Sequence, residues 1–158
     1  RASDAPSACR GRTPVMRYTH LRNATGLLEF ADRALLVDPM LSAPGDLPGF
    51  TMFGPGKRPN PLVPLPDGWG AALDRATDVL VTHTPPHGVL DRTFFGAHVG
   101  CADLLEAVKR ARPKLHAFGH IHEAAGQTQL PGVPTLFVNA ASRRLIRGVR
   151  TAPPVVDL

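Results

Sequence analysis

Asp78-Val79-Leu80-Val81-Thr82-His83-Thr84-Pro85-Pro86 is the stretch on which the fold turns. Four apolar or β-branched residues run without interruption, and two prolines then stop the run. A short apolar run of this kind, bounded by breakers, reads as a strand buried on both faces. The next patterned segment, residues 98–112, reads as a helix. Cys101, Leu104, Leu105 and Val108 recur at i, i+3, i+4 and i+7, the spacing that puts side chains on one helical face. Asp103 and Glu106 lie early, and Lys109, Arg110 and Arg112 lie late, an order that complements the helix dipole. Pro113 ends the helix. Leu115 to Phe118 then reads as a second strand, running into Gly119-His120-Ile121-His122. Strand, helix, strand is a βαβ unit, so at least part of the sheet is expected to be parallel.

Outward from this unit, Thr25-Gly26-Leu27-Leu28-Glu29-Phe30 and Ala34-Leu35-Leu36-Val37 flank the turn Ala31-Asp32-Arg33. Two apolar runs around a few polar residues predict a hairpin. Residues 42–68 are dominated by Pro and Gly and read as a long irregular loop. A short helical turn at Trp69 and Leu73 would cap that loop. Thr135 to Val138 is a further strand, ending at Asn139-Ala140-Ala141-Ser142, and Val155-Val156 reads as a last one. Residues 1–15 have no periodicity and read as a disordered tail, with one α/β domain over 16–158.

With 43% apolar and 20% charged residues the composition is that of a globular chain, not a disordered one. No apolar run reaches the roughly 18 residues a membrane helix needs. Net charge is +5, with Arg1, Arg10 and Arg12 in the first segment and Arg143, Arg144, Arg147 and Arg150 near the end. No aromatic residues are interleaved with these arginines for base stacking, which argues for a solvated basic surface and against a nucleic-acid partner. Cys9 and Cys101 are the only cysteines. They make no disulfide framework, and a reducing cytoplasm is the expected compartment. Cys101, at a helix start, reads as a small buried residue packing the helix.

The histidines carry the chemistry. His120 and His122 follow a strand with one residue between them, so they converge only if the backbone turns sharply. Gly119 permits an unusual backbone angle there. His83 directly follows the strand 78–82. In an open α/β sheet, ligands collect at the carboxyl ends of the strands. If the two strands are parallel neighbours, His83, His120 and His122 share one rim and form a candidate metal site, since imidazoles suit zinc, manganese or iron. His87 and His98 lie in the loop between strand and helix. Each could face a phosphate or move a proton, because histidine titrates near neutrality; His87 is the candidate catalytic residue and His98 a candidate substrate contact. His116, inside a strand, reads as a packed residue. His20 has no evident partner.

The ordered run Asp78–Asp91, His98-Val99-Gly100-Cys101, Arg112–Glu123, Val138–Ser142 and Pro153–Leu158 resembles the carboxy-terminal half of calcineurin-type metallophosphoesterases. The nearest resemblance is to the branch that includes the brain 239-type metallophosphoesterases and their bacterial relatives. It covers residues 77–158. It implies an α/β fold of layered sandwich type (αββα-like), truncated or hybrid here. It also implies one or two divalent metal ions (Mn, Fe or Zn), a small phosphorylated substrate, and hydrolysis of phosphodiesters or nucleotides. By the same resemblance His83 and His120 would bind one metal and His122 the other, and Asn139 would line the substrate site. The family's amino-terminal Asp-x-His, Gly-Asp and Gly-Asn-His strings do not occur in this sequence. Its bridging carboxylate therefore has no matching residue, and Asp38 and Asp91 are the acids to inspect.

Residues 16–83 are similar to something else. Thr19–Thr25, Leu27–Phe30 and Leu35–Leu41 look like the opening hairpin of metallo-β-lactamase-fold hydrolases, and Arg58–Leu62 fits the loop that follows in a lactonase-like branch. Of that family's His-x-His-x-Asp-His string only His83 is matched. The two resemblances together imply a chain joined from two hydrolases, 16–76 and 77–158. They leave three readings: a metal-dependent phosphoesterase of weakened activity, a metal-binding but inactive protein, and a lactone or amide hydrolase.

Overall fold

The computed structural model describes residues 15–40, 42–51, 54–68, 78–142 and 155–157. Residues 1–14 of the expected tail 1–15 and the helical turn at 69–73 lie outside the described residues.

The chain opens as an antiparallel meander of β1 (Met16–Arg22), β2 (Thr25–Phe30) and β3 (Arg33–Val37). The predicted hairpin is β2–β3, and its turn is tight enough to hold Ala31 at φ 53°. Residues 42–68 are not wholly irregular: β4 (Leu47–Thr51) and β5 (Gly54–Asn60) pair as a separate two-stranded ribbon. Its Pro and Gly content hid it, because such residues are depleted in strands.

The decisive stretch is β6 (Val79–Val81), followed by α1 (Ala102–Ala111) and β7 (Leu115–Phe118). After a 3₁₀ turn, His122–Ala124, come β8 (Gly126–Gln129) and β9 (Leu136–Asn139). Among the described residues the main sheet has seven strands in the order β1-β2-β3-β6-β7-β9-β8. Its centre, β3, β6, β7 and β9, is parallel, and both flanks are antiparallel. The expected βαβ unit and its parallel pairing are thus present in a mixed α/β sheet. The β4–β5 ribbon is the one other sheet among the described residues, and the expected layered sandwich is not shown by it. Val155–Asp157 is described without strand pairing, so the expected last strand is absent there.

Leu36, Leu80, Val89, Val108, Phe118 and Phe137 form the core, with Leu104 and Leu105 of α1 packed against it. The helix starts where the periodicity predicts. Cys101 is its N-cap, but as an exposed residue whose sulfur accepts from Leu104 N–H (3.4 Å), not as a buried packing residue. Arg112 closes the helix in a left-handed conformation, its N–H returning to Val108 O.

The amino ends of the parallel strands are pinned by Asp78. Its carboxylate takes Lys114 Nζ (2.8 Å), Ala34 N–H (3.1 Å) and an Arg33 guanidinium nitrogen (3.3 Å). The Lys114 contact above all, then the Ala34 N–H, holds its pKa below the usual carboxylate value against the opposing effect of burial.

Candidate metal centre

Register determines what the other end of the sheet presents. Val37, Val81, Ala117 and Val138 form one row across the four parallel strands. The chain leaves these strands through Asp38, Thr82-His83, Gly119-His120 and Asn139-Ala140. The ladder continues past the strand ends: Asp38 N–H donates to Val81 O (2.7 Å), Thr82 N–H to Ala117 O (3.0 Å), Gly119 N–H to His83 O (3.2 Å) and Ala140 N–H to Phe118 O (2.7 Å). One rim therefore collects all the carboxyl ends, as open α/β sheets require of a ligand site.

On that rim the His83 and His120 rings lie 4.7 Å apart, centre to centre, tilted by 57°. Both residues are exposed. Asp38 stands beside them, its Oδ1 accepting the His83 backbone N–H (3.0 Å). The sharp turn expected at Gly119 falls one residue later: His120 itself holds φ 69°, and Asp38 holds φ 46°. Left-handed backbone costs a non-glycine residue about 1–3 kcal/mol and persists where the surroundings impose it. Of the other non-glycine residues in this region, Asn23 and Ala31 lie in strand turns, Leu90 in the loop after β6 and Arg112 at a helix end; His120 is one of the paired imidazoles, and Asp38 is bonded to the backbone of the other. His122 opens the 3₁₀ turn and is half-buried.

A cleft of about 910 Å³ adjoins the rim. Asp38, His83 and Thr84 line it from the sheet end, Cys101, Asp103 and Leu104 from the start of α1, and Asp46 lines it too. Its three carboxylates, Asp38, Asp46 and Asp103, make the walls suited to a cation and unsuited to a bare phosphate.

The other candidates sit in different settings. Asn139 is 2% exposed, and its amide is engaged on both sides. Nδ2 donates to Leu90 O (3.0 Å) and Ile121 O (2.8 Å), and Oδ1 accepts from Ala141 N–H (3.1 Å). It ties the His87–Leu90 loop to the turn that carries His120 and His122. His98 Nδ1 lies 2.6 Å from Asp91 Oδ1, and the His87 ring lies 5.8 Å from the His98 ring. Asp91 is 1% exposed and also accepts Gly88 N–H (2.9 Å) and Gly100 N–H (3.0 Å). Burial works to raise its pKa, but His98 and the two N–H donors outweigh burial and hold it below the usual value. Asp91 thus serves the loop and does not reach for the rim.

His116 is fully buried between Phe118 and Phe137, as a packed residue should be. Its Nε2 lies 3.0 Å from Thr82 Oγ1, whose own proton goes to Thr84 O (2.7 Å). Nε2 is therefore the donor, and Nδ1 is left without a partner. Burial pushes the His116 pKa down to about 3, so the ring is neutral at ordinary pH.

Among the described residues, no group of three or more His, Cys, Asp or Glu side chains is gathered for a metal ion. The paired His83 and His120 imidazoles are donors of the right chemistry, so they fit a divalent metal as two members of a ligand set, with Asp38 bonded to the His83 backbone nearby.

The fold and this rim define a mixed α/β protein with a histidine-rich strand-end site. UPF0046 protein K07C11.7 of Caenorhabditis elegans is 38% identical over 146 residues, which cover 87% of this chain and 44% of the relative. UPF0046 protein T07D4.2 of the same organism is 37% identical over 127 residues, 72% of this chain and 30% of the relative. Metallophosphoesterase domain-containing protein 1 of Homo sapiens is 35% identical over 125 residues, 70% of this chain and 36% of the relative. The chain spans less than half the length of these relatives. No family model matches it. The similarities support a metallophosphoesterase-like family. They do not support a join of two hydrolases, because the 87% match leaves too few residues uncovered to omit either half.

Proposed function

We propose that the chain carries part of the active centre of a metal-dependent phosphoesterase acting on a small phosphorylated substrate. The observation that carries this reading is the pairing of His83 and His120 at 4.7 Å on neighbouring parallel strand ends. The phosphoesterase name of the human relative gives the reaction class. His83 and His120 would hold the ion, with Asp38 the nearest acid and His122 a further imidazole. Mn, Fe and Zn suit this mixture of nitrogen and oxygen donors. A divalent ion there supplies Lewis acidity and a more acidic bound water. The protein's own part is to fix the rim: Asp38 by its bond to the His83 backbone, and Asn139 by holding the loops on either side. The layered sandwich implied by the resemblance belongs to this reading too.

A second reading is favoured by one observation. No third ligand joins the pair among the described residues, which suits a metal-binding protein without turnover.

Elemental analysis of the purified chain, beside its His83→Ala and His120→Ala variants, tests the site. Bound Mn, Fe or Zn that is lost in either variant supports it, and unchanged metal content overturns it. Hydrolysis of a generic phosphodiester by the metal-loaded chain then separates the two readings.

A further inference from the structure

The loop between β6 and α1 is built more firmly than a connection needs to be. His87 N–H donates to Cys101 O (2.9 Å) and Cys101 N–H to Pro85 O (3.0 Å), so the start of the loop is laced to its end. Within it, residues 91–99 form a small ladder, with Arg92 bridged to His98 and Val99 N–H donating to Asp91 O (3.4 Å). These bonds bring two exposed imidazoles to one place, His87 and His98, with their rings 5.8 Å apart at 61°.

The carboxylate behind them is the telling part. Asp91 Oδ1 holds His98 Nδ1 at 2.6 Å, and Oδ2 is fixed by the Gly88 and Gly100 N–H groups. His98 therefore carries a proton on Nδ1, and Nε2 is the nitrogen its neutral ring leaves free for a ligand. A carboxylate bonded to the far nitrogen of an imidazole is the usual support of a metal-ligating histidine, setting its tautomer and raising its basicity. His87 Nδ1 lies 3.9 Å from Asp91 Oδ2, so its Nε2 also faces away from the carboxylate. With metal–nitrogen bonds of about 2.1 Å, two imidazoles on one tetrahedral ion hold their ring centres roughly 5 Å apart; from the observed 5.8 Å the two exposed rings would turn their Nε2 atoms inward to share an ion.

We propose that His87 and His98 form a divalent transition-metal site of the zinc, nickel or copper class, separate from the His83–His120 rim, with Asp91 as its positioning residue. Water fills the remaining coordination positions, so the site is an open one. It does not depend on whether the rim binds metal.

The test uses the full chain carrying His83→Ala and His120→Ala, which removes the rim's imidazoles, titrated with Ni²⁺ and with Zn²⁺ by calorimetry. One ion per chain is expected. His98→Gln or His87→Gln in that background should weaken binding by more than about tenfold, and Asp91→Asn, which spares both ligands, by about tenfold. Far-ultraviolet circular dichroism of each variant confirms that the fold is retained. Absence of binding in the rim-less background overturns the proposal, as does binding that survives the double change His87→Gln, His98→Gln. Metal lost only with the rim histidines would sustain the phosphoesterase reading and refute this one.

Discussion

Replacing His116 by Leu, a side chain of similar volume, should flatten the acid limb of the stability curve. His116 is buried and its pKa is lowered to about 3. In the unfolded chain a histidine titrates near 6.5. Below that pH the unfolded chain binds a proton that the native protein refuses. Stability is therefore full above about pH 6.5, falls as pH drops, and levels off only near the native value of about 3. The slope is about 1.4 kcal/mol per pH unit, which amounts to about 2 kcal/mol by pH 5. At pH 7.5 the substitution should be close to neutral. It removes one hydrogen bond to Thr82, worth about 1 kcal/mol, and also removes an unpartnered Nδ1 that is costly to bury. Thr82 keeps its bond to Thr84 O. Urea denaturation followed by circular dichroism at pH 7.5, 6 and 5, in chelator-treated buffer, measures the difference between the two proteins. The other histidines are common to both and cancel. The variant should gain about 2 kcal/mol on the parent between pH 7.5 and pH 5. A difference that stays constant with pH to within about 0.5 kcal/mol would refute the argument that His116 is held neutral.

Two further substitutions probe how the loops are held. Arg22 is 3% exposed, and its guanidinium donates to the carbonyls of Met40, Ser42 and Val63; Arg22→Met keeps the stem but strands those acceptors, and should cost about 3 kcal/mol or more in urea unfolding. A shift below about 1 kcal/mol would mean that water replaces the guanidinium freely. At Gly100 a Cβ would stand 2.4 Å from Pro86 O, 2.5 Å from Pro86 C and 2.7 Å from His87 N, all backbone atoms. Gly100→Ala should therefore cost about 1–3 kcal/mol and lower the melting temperature, and an unchanged melting temperature would show that the loop yields.

The parts of the fold legible in the sequence were those with a local period. β6 is an uninterrupted apolar run and β7 is apolar but for His116, though each alternates buried with half-buried residues and is not buried on both faces as the run suggested, and α1 announces itself by the spacing of Leu104, Leu105 and Val108 and by its order of charges. β1 and β8 carry no such signal. β8 is Gly-Gln-Thr-Gln at the sheet edge, held by its ladder to β9 and not by apolar burial. The β4–β5 ribbon is hidden for the opposite reason: its residues are those that ordinarily break strands, and only pairing over several residues makes them one. Val155-Val156 has the right composition for a strand, but composition supplies no partner.

The site divides along the same line. His83 and His120 are legible in the sequence as rim residues, because each stands just past a strand, with one residue between, and parallel neighbours deliver their ends to one edge. The acids could not be sorted that way. Asp38 and Asp91 are equivalent on paper, since each follows or precedes an apolar segment. Their roles are decided by backbone donors distant in sequence: the His83 N–H draws Asp38 to the rim, whereas the Gly88 and Gly100 N–H groups draw Asp91 beneath His98. Asn139 shows the same effect, its amide held by Leu90, Ile121 and Ala141. A histidine at a strand end advertises its direction through the strand that precedes it. A buried carboxylate or amide takes its direction from whichever backbone groups lack partners, and those are fixed only when the loops close.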